Sequence, residues 1–114
     1  MEIDLEREVN ELHAGICSAL ADPRRILILY ALHEKPRSVG DLAESLGISQ
    51  PAASRHLNLL RDRGLASARR EGPSVVYTLV DDRIIQALDL LRSVLAGILR
   101  SQAALADTAR AEGE

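Results

Sequence analysis

Apolar residues recur at three- and four-residue steps through much of this 114-residue chain, a spacing typical of amphipathic helices. Residues 3–20 are predicted to form the first helix. Its apolar face carries Leu5, Val9, Leu12, Ile16 and Leu20. Asp22 and Pro23 then supply an N-cap and a first-turn proline, which predict a second helix over residues 24–33. This helix is apolar over most of its circumference, so we expect it at the centre of the core.

A short turn joins the third and fourth predicted helices. Ser38 and Asp41 fit the capping-box pattern that opens a helix, and Gly47 ends that helix after about two turns. Ser49 is a second N-cap, which predicts another helix over residues 49–63. Two short helices separated by a tight turn are the pattern of a helix-turn-helix. The apolar back of the second of them carries Ala53, Leu57 and Leu60.

The apolar pattern changes after Gly64 from the helical period to the alternation of a β-strand. Residues 75–80 are predicted to form one strand and residues 65–70 its partner, with residues 71–74 as the hairpin tip. The fold class is therefore predicted to be mainly α with a small β-hairpin wing (α+β), a winged helix-turn-helix with five helices.

The last predicted helix begins at two acidic residues, 81–82, because negative charge favours a helix N-terminus. Residues 1–100 are predicted to form one domain, and the Ala-rich, polar residues 101–114 to fray or be disordered. A domain of this size cannot hide the leucine stripes of both terminal helices, so we expect the helices at about 3–20 and 82–100 to form a dimer contact. The stripe of the last helix carries Ile84, Leu88, Leu91, Leu95 and Ile98.

The front of the fourth predicted helix is rich in hydrogen-bonding groups. Glutamine and asparagine pair with adenine in a DNA major groove, and arginine pairs with guanine or with phosphate. A DNA duplex is therefore the predicted partner of this surface. Its amide, hydroxyl and guanidinium groups belong to Gln50, Ser54, Asn58 and Arg61, with Arg55 beside them.

Charge is distributed unevenly along the chain. The formal net charge is −3, yet residues 47–72 hold five arginines against two acids, which makes this segment +3. An acidic body with a basic edge favours a polyanionic partner. With no Trp or Phe the core must be aliphatic, and with one cysteine the chain has no internal disulfide. The chain has no run of about 18 apolar residues and no export signal, so we expect a cytoplasmic protein without a membrane span.

The order of helices, helix-turn-helix, wing and final helix resembles the ArsR/SmtB family of small bacterial winged-helix repressors. Four segments carry the resemblance: residues 19–29, 46–57, 59–65 and 69–79. The resemblance implies a homodimer whose first and last helices form the subunit contact, and a near-palindromic operator. The predicted dimer contact involves Leu5, Val9, Leu12, Ile16, Leu88, Leu91, Leu95 and Ile98.

The same resemblance assigns residues that contact DNA. Gln50, Ser54 and Arg55 are the expected readers of base edges. His56, at the apolar edge of its helix, is predicted to pack or to touch a phosphate. The family often has a basic residue after the wing glycine, whereas residues 73–74 are Pro and Ser here, so the wing tip carries less charge. The full predicted contact set is Ser49, Gln50, Pro51, Ser54, Arg55, His56, Asn58, Arg61, Arg69 and Arg70.

An inducer is also implied, because many relatives release DNA when they bind a metal or metalloid. Where the common thiol site has cysteines, this chain has Ser38 and Gly40, and its last predicted helix lacks the histidines of the other common site. We therefore predict no cofactor and no metal site of the usual form. A small-molecule or metal inducer stays unassigned.

His13 and Cys17 lie four residues apart on one predicted helix face. Doubled across a dimer axis, they would supply four ligands for a metal ion. A disulfide between the Cys17 residues of two subunits is a second alternative. The simpler interpretation, which we favour, makes Cys17 a small buried residue and His13 a partly exposed polar one.

Two other classes of function compete with DNA binding. A winged helix that binds only proteins would carry aromatic or leucine-rich side chains where the fourth helix is polar. An enzyme would need a nucleophile with a base, paired acids or a glycine-rich phosphate loop, and we find none of these patterns. We therefore predict a DNA-binding transcriptional repressor, with a protein-binding module that does not bind DNA as the alternative.

Overall fold

Five helices and three short strands make up the fold in the computed structural model, which describes residues 3–113. The sheet is antiparallel, with strand order β1-β3-β2. This architecture confirms the predicted winged helix-turn-helix, with α3 and α4 as its two helices and β2 and β3 as its wing. The elements are α1 (Ile3–Leu12), α2 (Pro23–Glu34), β1 (Arg37–Ser38), α3 (Val39–Leu46), α4 (Gln50–Asp62), β2 (Ala66–Glu71), β3 (Ser74–Leu79) and α5 (Arg83–Gly113).

The core of the unit that ends at Asp82 is aliphatic, as the absence of Phe and Trp predicts. Helices α2, α3 and α4 contribute its centre, so the helix-turn-helix packs on the helix that precedes it. Helix α2 is less enclosed than its composition predicts, because Leu27 is 54% exposed. The largest fully buried side chains are Ile28, Leu29, Leu42, Leu57 and Leu60.

The first helix is interrupted, whereas the sequence predicts a continuous helix over residues 3–20. Helix α1 ends earlier, and residues His13–Cys17 form a wider turn of π-helix. The cause is local. Gly15 has no side chain to pack, and the Ser18 hydroxyl donates to the carbonyl oxygens of Ala14 (2.6 Å) and Gly15 (2.9 Å).

The predicted caps fix the starts of α3 and α4. The Ser38 hydroxyl accepts a hydrogen bond from the amide of Asp41 over 3.1 Å, and the Ser49 hydroxyl accepts one from the amide of Ala52 over 3.2 Å. Between the helices, Gly47 has a φ of +65°, a left-handed conformation that other residues adopt only with strain. Local chemistry therefore determines where both helices begin and how the chain turns between them.

The sheet contains one strand more than the predicted two-stranded wing. Strand β1 is two residues long and pairs with β3, with Arg37 opposite Tyr77 and Ser38 opposite Val76. Two residues are too few to show the alternation that identifies a strand in a sequence. The added strand connects the start of α3 to the wing.

The wing hairpin itself is confirmed, and its turn is tight. Glu71 pairs with Ser74, so only Gly72 and Pro73 lie between the strands. Gly72 has a φ of +60° and Pro73 fixes its own φ near −65°, the combination that a type II′ turn requires. The tip is therefore short and stiff.

Helix α5 forms a unit of its own from Arg83 onward. Ile85 and Leu88 near its start are buried, whereas the leucines farther along are exposed. Residues 101–113 continue the helix with every side chain exposed, and Glu114 lies outside the described residues. Exposed side chains add no packing energy that would hold this segment in place. Its fraying and the domain boundary near residue 100 stay predictions. Among residues 3–113, no helix combines the length and the hydrophobicity that a membrane span requires.

Candidate nucleic-acid interface

Helix α4 has a buried apolar side and an exposed polar side. Gln50, Arg55 and Arg61 are exposed on the polar side, and Ser54 is half-buried beside them. Among the described residues, the guanidinium groups of Arg55 and Arg61 have no hydrogen-bond or ion-pair partner, so their donors are available. The buried side, each residue at 0% exposure as predicted, consists of Ala53, Leu57 and Leu60.

An open groove of about 500 Å³ lies beside the polar side of α4. Its walls come from the first residues of α3, the first residues of α4 and the tip of the wing. Hydroxyl and amide groups line it, and the positive end of a helix dipole favours an anion. Such a lining suits the phosphate backbone of DNA. Its polar and wing-tip residues are Ser38, Gln50, Ser54, Pro73 and Ser74.

The Gln50 side chain lies against a point on α3 that has no side chain of its own. A Cβ atom at position 40 would lie 3.3 Å from the Gln50 Nε2 atom, a tight contact. Gly40 therefore leaves room for the Gln50 amide at the edge of the groove. No sequence pattern indicates this contact, because the two residues belong to different helices.

Asn58 connects α4 to the wing. Its Oδ1 atom accepts a hydrogen bond from the Tyr77 hydroxyl over 3.1 Å, and Tyr77 is 3% exposed. The sequence predicts Asn58 at the DNA groove, but here its carbonyl oxygen is already bonded within the protein. Asn58 therefore helps to hold the wing against α4, and its contact with DNA stays a prediction.

The two wing arginines lie on opposite faces of the hairpin, because successive residues of a strand alternate. Arg69 is paired with its own strand: its Nε and Nη2 atoms lie 2.8 Å and 2.6 Å from the Oε1 atom of Glu71. Arg70 is in register with Val75, which lines the groove, and its side chain has no partner among the described residues. Arg70 is therefore the wing arginine that is available to a phosphate.

His56 packs into the protein, which is the first of the two roles that the sequence predicts for it. Its side chain is 14% exposed, with Nδ1 3.3 Å from the Nη1 atom of Arg25 and Nε2 4.0 Å from the Oδ2 atom of Asp22. Burial is the largest cause that lowers the pKa of His56 below its ordinary value of 6.5. Asp22 opposes this shift, and Arg25, Arg24 and Arg55 add to it.

The free energy of unfolding is expected to decrease as the pH falls below the ordinary histidine pKa of about 6.5. The lowered pKa of His56 means that the unfolded chain binds the extra proton more readily than the folded chain, so acid favours unfolding. Urea unfolding at about pH 7.5 and 5.5 measures this, and His56→Gln is expected to reduce the difference. His13→Gln, at an exposed histidine, is the control. If the free energy of unfolding of His56→Gln changed between the two pH values as much as that of the unsubstituted protein, His56 would not be the group that causes the decrease.

The residues of this chain do not fit the two metal sites that the resemblance to the ArsR/SmtB family implies. Among residues 3–113, no three His, Cys, Asp or Glu side chains are grouped to hold an ion. Ser38, at a position of the thiol site, uses its hydroxyl to cap α3. Cys17 and His13 are both exposed, which corrects the expectation of a buried cysteine. A metal or a disulfide shared across a dimer by these residues stays a prediction.

Apolar side chains on both terminal helices are exposed in the single chain. Exposed apolar surface of this extent is typical of an interface. Two residues of the predicted dimer set are less exposed than the others: the Leu88 side chain is 4% exposed, and Ile16 is half-buried. The other six, each 45% to 60% exposed, are Leu5, Val9, Leu12, Leu91, Leu95 and Ile98.

Known proteins are similar to this chain in both sequence and fold. Residues 22–68, from the cap of α2 into β2, match the family described as bacterial regulatory protein, arsR family. The uncharacterized HTH-type transcriptional regulator Rv0081 of Mycobacterium tuberculosis is 38% identical over 104 residues, which are 90% of this chain and 91% of that protein. The chain belongs to the arsR family. The resemblance seen in the sequence is therefore confirmed.

Two further proteins extend the comparison for this arsR-family chain. The biofilm growth-associated repressor of Xylella fastidiosa is 32% identical over 91 residues, which are 80% of this chain and 79% of the repressor. The solution structure of the homodimeric winged helix-turn-helix DNA-binding domain of Mb0332 from Mycobacterium bovis matches with a TM-score of 0.73 at 28% identity, over 87% of this chain and 91% of that one. The crystal structure of Rv0081 matches with a TM-score of 0.74 at 35% identity, over 83% and 96%.

Proposed function

We propose that this arsR-family protein is a sequence-specific, DNA-binding transcriptional repressor that acts as a homodimer in the cytoplasm. The observation that carries the proposal is the exposed polar side of α4 above a fully buried apolar side. A helix of this kind fits a major groove, which is about 12 Å wide. The proposed DNA-contact residues are Ser49, Gln50, Pro51, Ser54, Arg55, Arg61 and Arg70.

The proposed dimer contact uses the exposed apolar residues of α1 and α5, within a domain formed by residues 1–100. The homodimeric state of the Mb0332 domain supports this assignment. A two-fold axis would place the two α4 helices about one turn of DNA apart, roughly 34 Å, so the operator would be near-palindromic. No inducer is assigned.

Selection of bound sequences from random duplexes tests the proposal. We expect enrichment of two inverted half-sites whose centres lie about 10 base pairs, or a multiple of that, apart. A pool that stays random after repeated rounds would contradict sequence-specific binding. A single half-site without an inverted copy would contradict the dimer.

A further inference from the structure

Two arginines hold the helical segment that continues from α1. The Arg63 Nη1 atom donates to the carbonyl oxygen of Ala14 over 2.6 Å. The Arg25 side chain donates through Nε to the carbonyl oxygen of Ala19 over 2.7 Å, and through Nη2 to that of Ser18 over 3.3 Å. We refer to Arg25 and Arg63, with these three hydrogen bonds, as the two-arginine link.

The same two arginines are attached to α4. Arg63 directly follows the last residue of that helix, and the Arg25 Nη1 atom lies 3.3 Å from the Nδ1 atom of His56 in the middle of it. Because a guanidinium group only donates, the Nδ1 atom of His56 must accept, which agrees with a neutral ring. The middle and the end of α4 are thus both connected to residues 14–19.

The chemistry of the link suits a fixed geometry. Carbonyl oxygens at the end of a helical segment carry partial negative charge, which a cation complements. Arginine makes several hydrogen bonds from one planar, rigid group, and the Arg25 side chain is only 14% exposed. Residues 14–19 continue from α1, which carries part of the proposed dimer contact. A continuous series of contacts therefore runs from that surface to α4.

We propose that Arg63 and Arg25 are positioning residues that set the direction of α4 relative to α1, and with it the half-site spacing that the dimer accepts. This inference rests on the proposed function. The competing interpretation is that Arg63 contacts DNA directly. Its side chain is exposed and lines the same shallow surface as Arg55.

The test measures the dissociation constants of Arg63→Ala for the selected operator and for operators with two base pairs inserted or removed at the centre. The unsubstituted protein is expected to discriminate among these duplexes, and Arg63→Ala is expected to lose about fivefold or more of that discrimination. Its salt dependence on an isolated half-site is expected to stay unchanged. Arg110→Ala, which removes an exposed charge far along α5, is the matched control.

Each alternative gives a different result. A salt slope that falls by about one unit in Arg63→Ala would assign Arg63 to a phosphate contact and overturn the proposal. Unchanged discrimination would also overturn it. Arg25→Lys, which keeps the charge but not the planar fork, is expected to lose discrimination in the same direction, and no loss would remove Arg25 from the link. An unsubstituted protein that shows no spacing preference would instead contradict the proposed function.

Discussion

Arg55→Ala is expected to weaken binding to the selected operator by roughly 10- to 100-fold, because a bidentate contact to a base edge contributes about 1–3 kcal/mol of discrimination. Arg55 is exposed on α4 and its guanidinium group has no partner among the described residues, so the substitution removes no bond within the protein. Fluorescence anisotropy with labelled duplexes measures the change. Binding to a scrambled duplex is expected to weaken less.

The control for this prediction is Arg110→Ala, which removes the same charge from the far end of α5. Equal losses on the operator and on scrambled DNA would assign Arg55 to the phosphate backbone. If both Arg55→Ala and Gln50→Ala bound the operator as tightly as the unsubstituted protein, α4 would not be the reading helix.

Leu95→Asp is expected to convert the dimer to a monomer and to abolish operator binding at concentrations where the unsubstituted protein saturates the duplex. Leu95 is 54% exposed in the single chain, so the substitution spares the core. In the dimer, however, it would bury a carboxylate without a partner, which costs several kcal/mol. Sedimentation equilibrium gives the subunit stoichiometry, and circular dichroism verifies that the chain stays folded.

Ser93→Asp is the matched control, because Ser93 is exposed on the same helix but lies on the side opposite to Leu95. It adds the same charge and is expected to leave the dimer intact. If Leu95→Asp remained dimeric and bound the operator normally, the apolar side of α5 would not be the subunit contact.

The parts of the fold that depend on neighbours in sequence were predictable. The caps at Ser38 and Ser49 and the left-handed turn at Gly47 act within a few residues, and each holds as predicted. The buried side of α4 follows from helical periodicity alone. The hairpin follows from alternation and its turn residues.

What the sequence could not predict depends on contacts between distant residues. The inward position of His56 is set by Asp22 and Arg25, more than 30 residues earlier along the chain. Asn58 is bonded through Tyr77, and the pairing of β1 depends on β3. The sequence predicts DNA contacts for both wing arginines. Only the strand register and the ion pair between Arg69 and Glu71 show that Arg70 is the one without a partner among the described residues. Periodicity identifies the polar side chains on a surface, but it does not show which of them are already bonded within the protein.

In the proposed function, two paired chains present their α4 helices to one duplex and read its sequence. A competitive titration of the purified protein with the selected operator and a scrambled duplex, at several salt concentrations, tests it most directly. We predict two chains per operator, a preference of about 10³-fold or more over scrambled DNA, and a log–log salt slope of about −0.9 for each phosphate contacted. Equal affinity for both duplexes, or binding that salt does not weaken, would contradict the account.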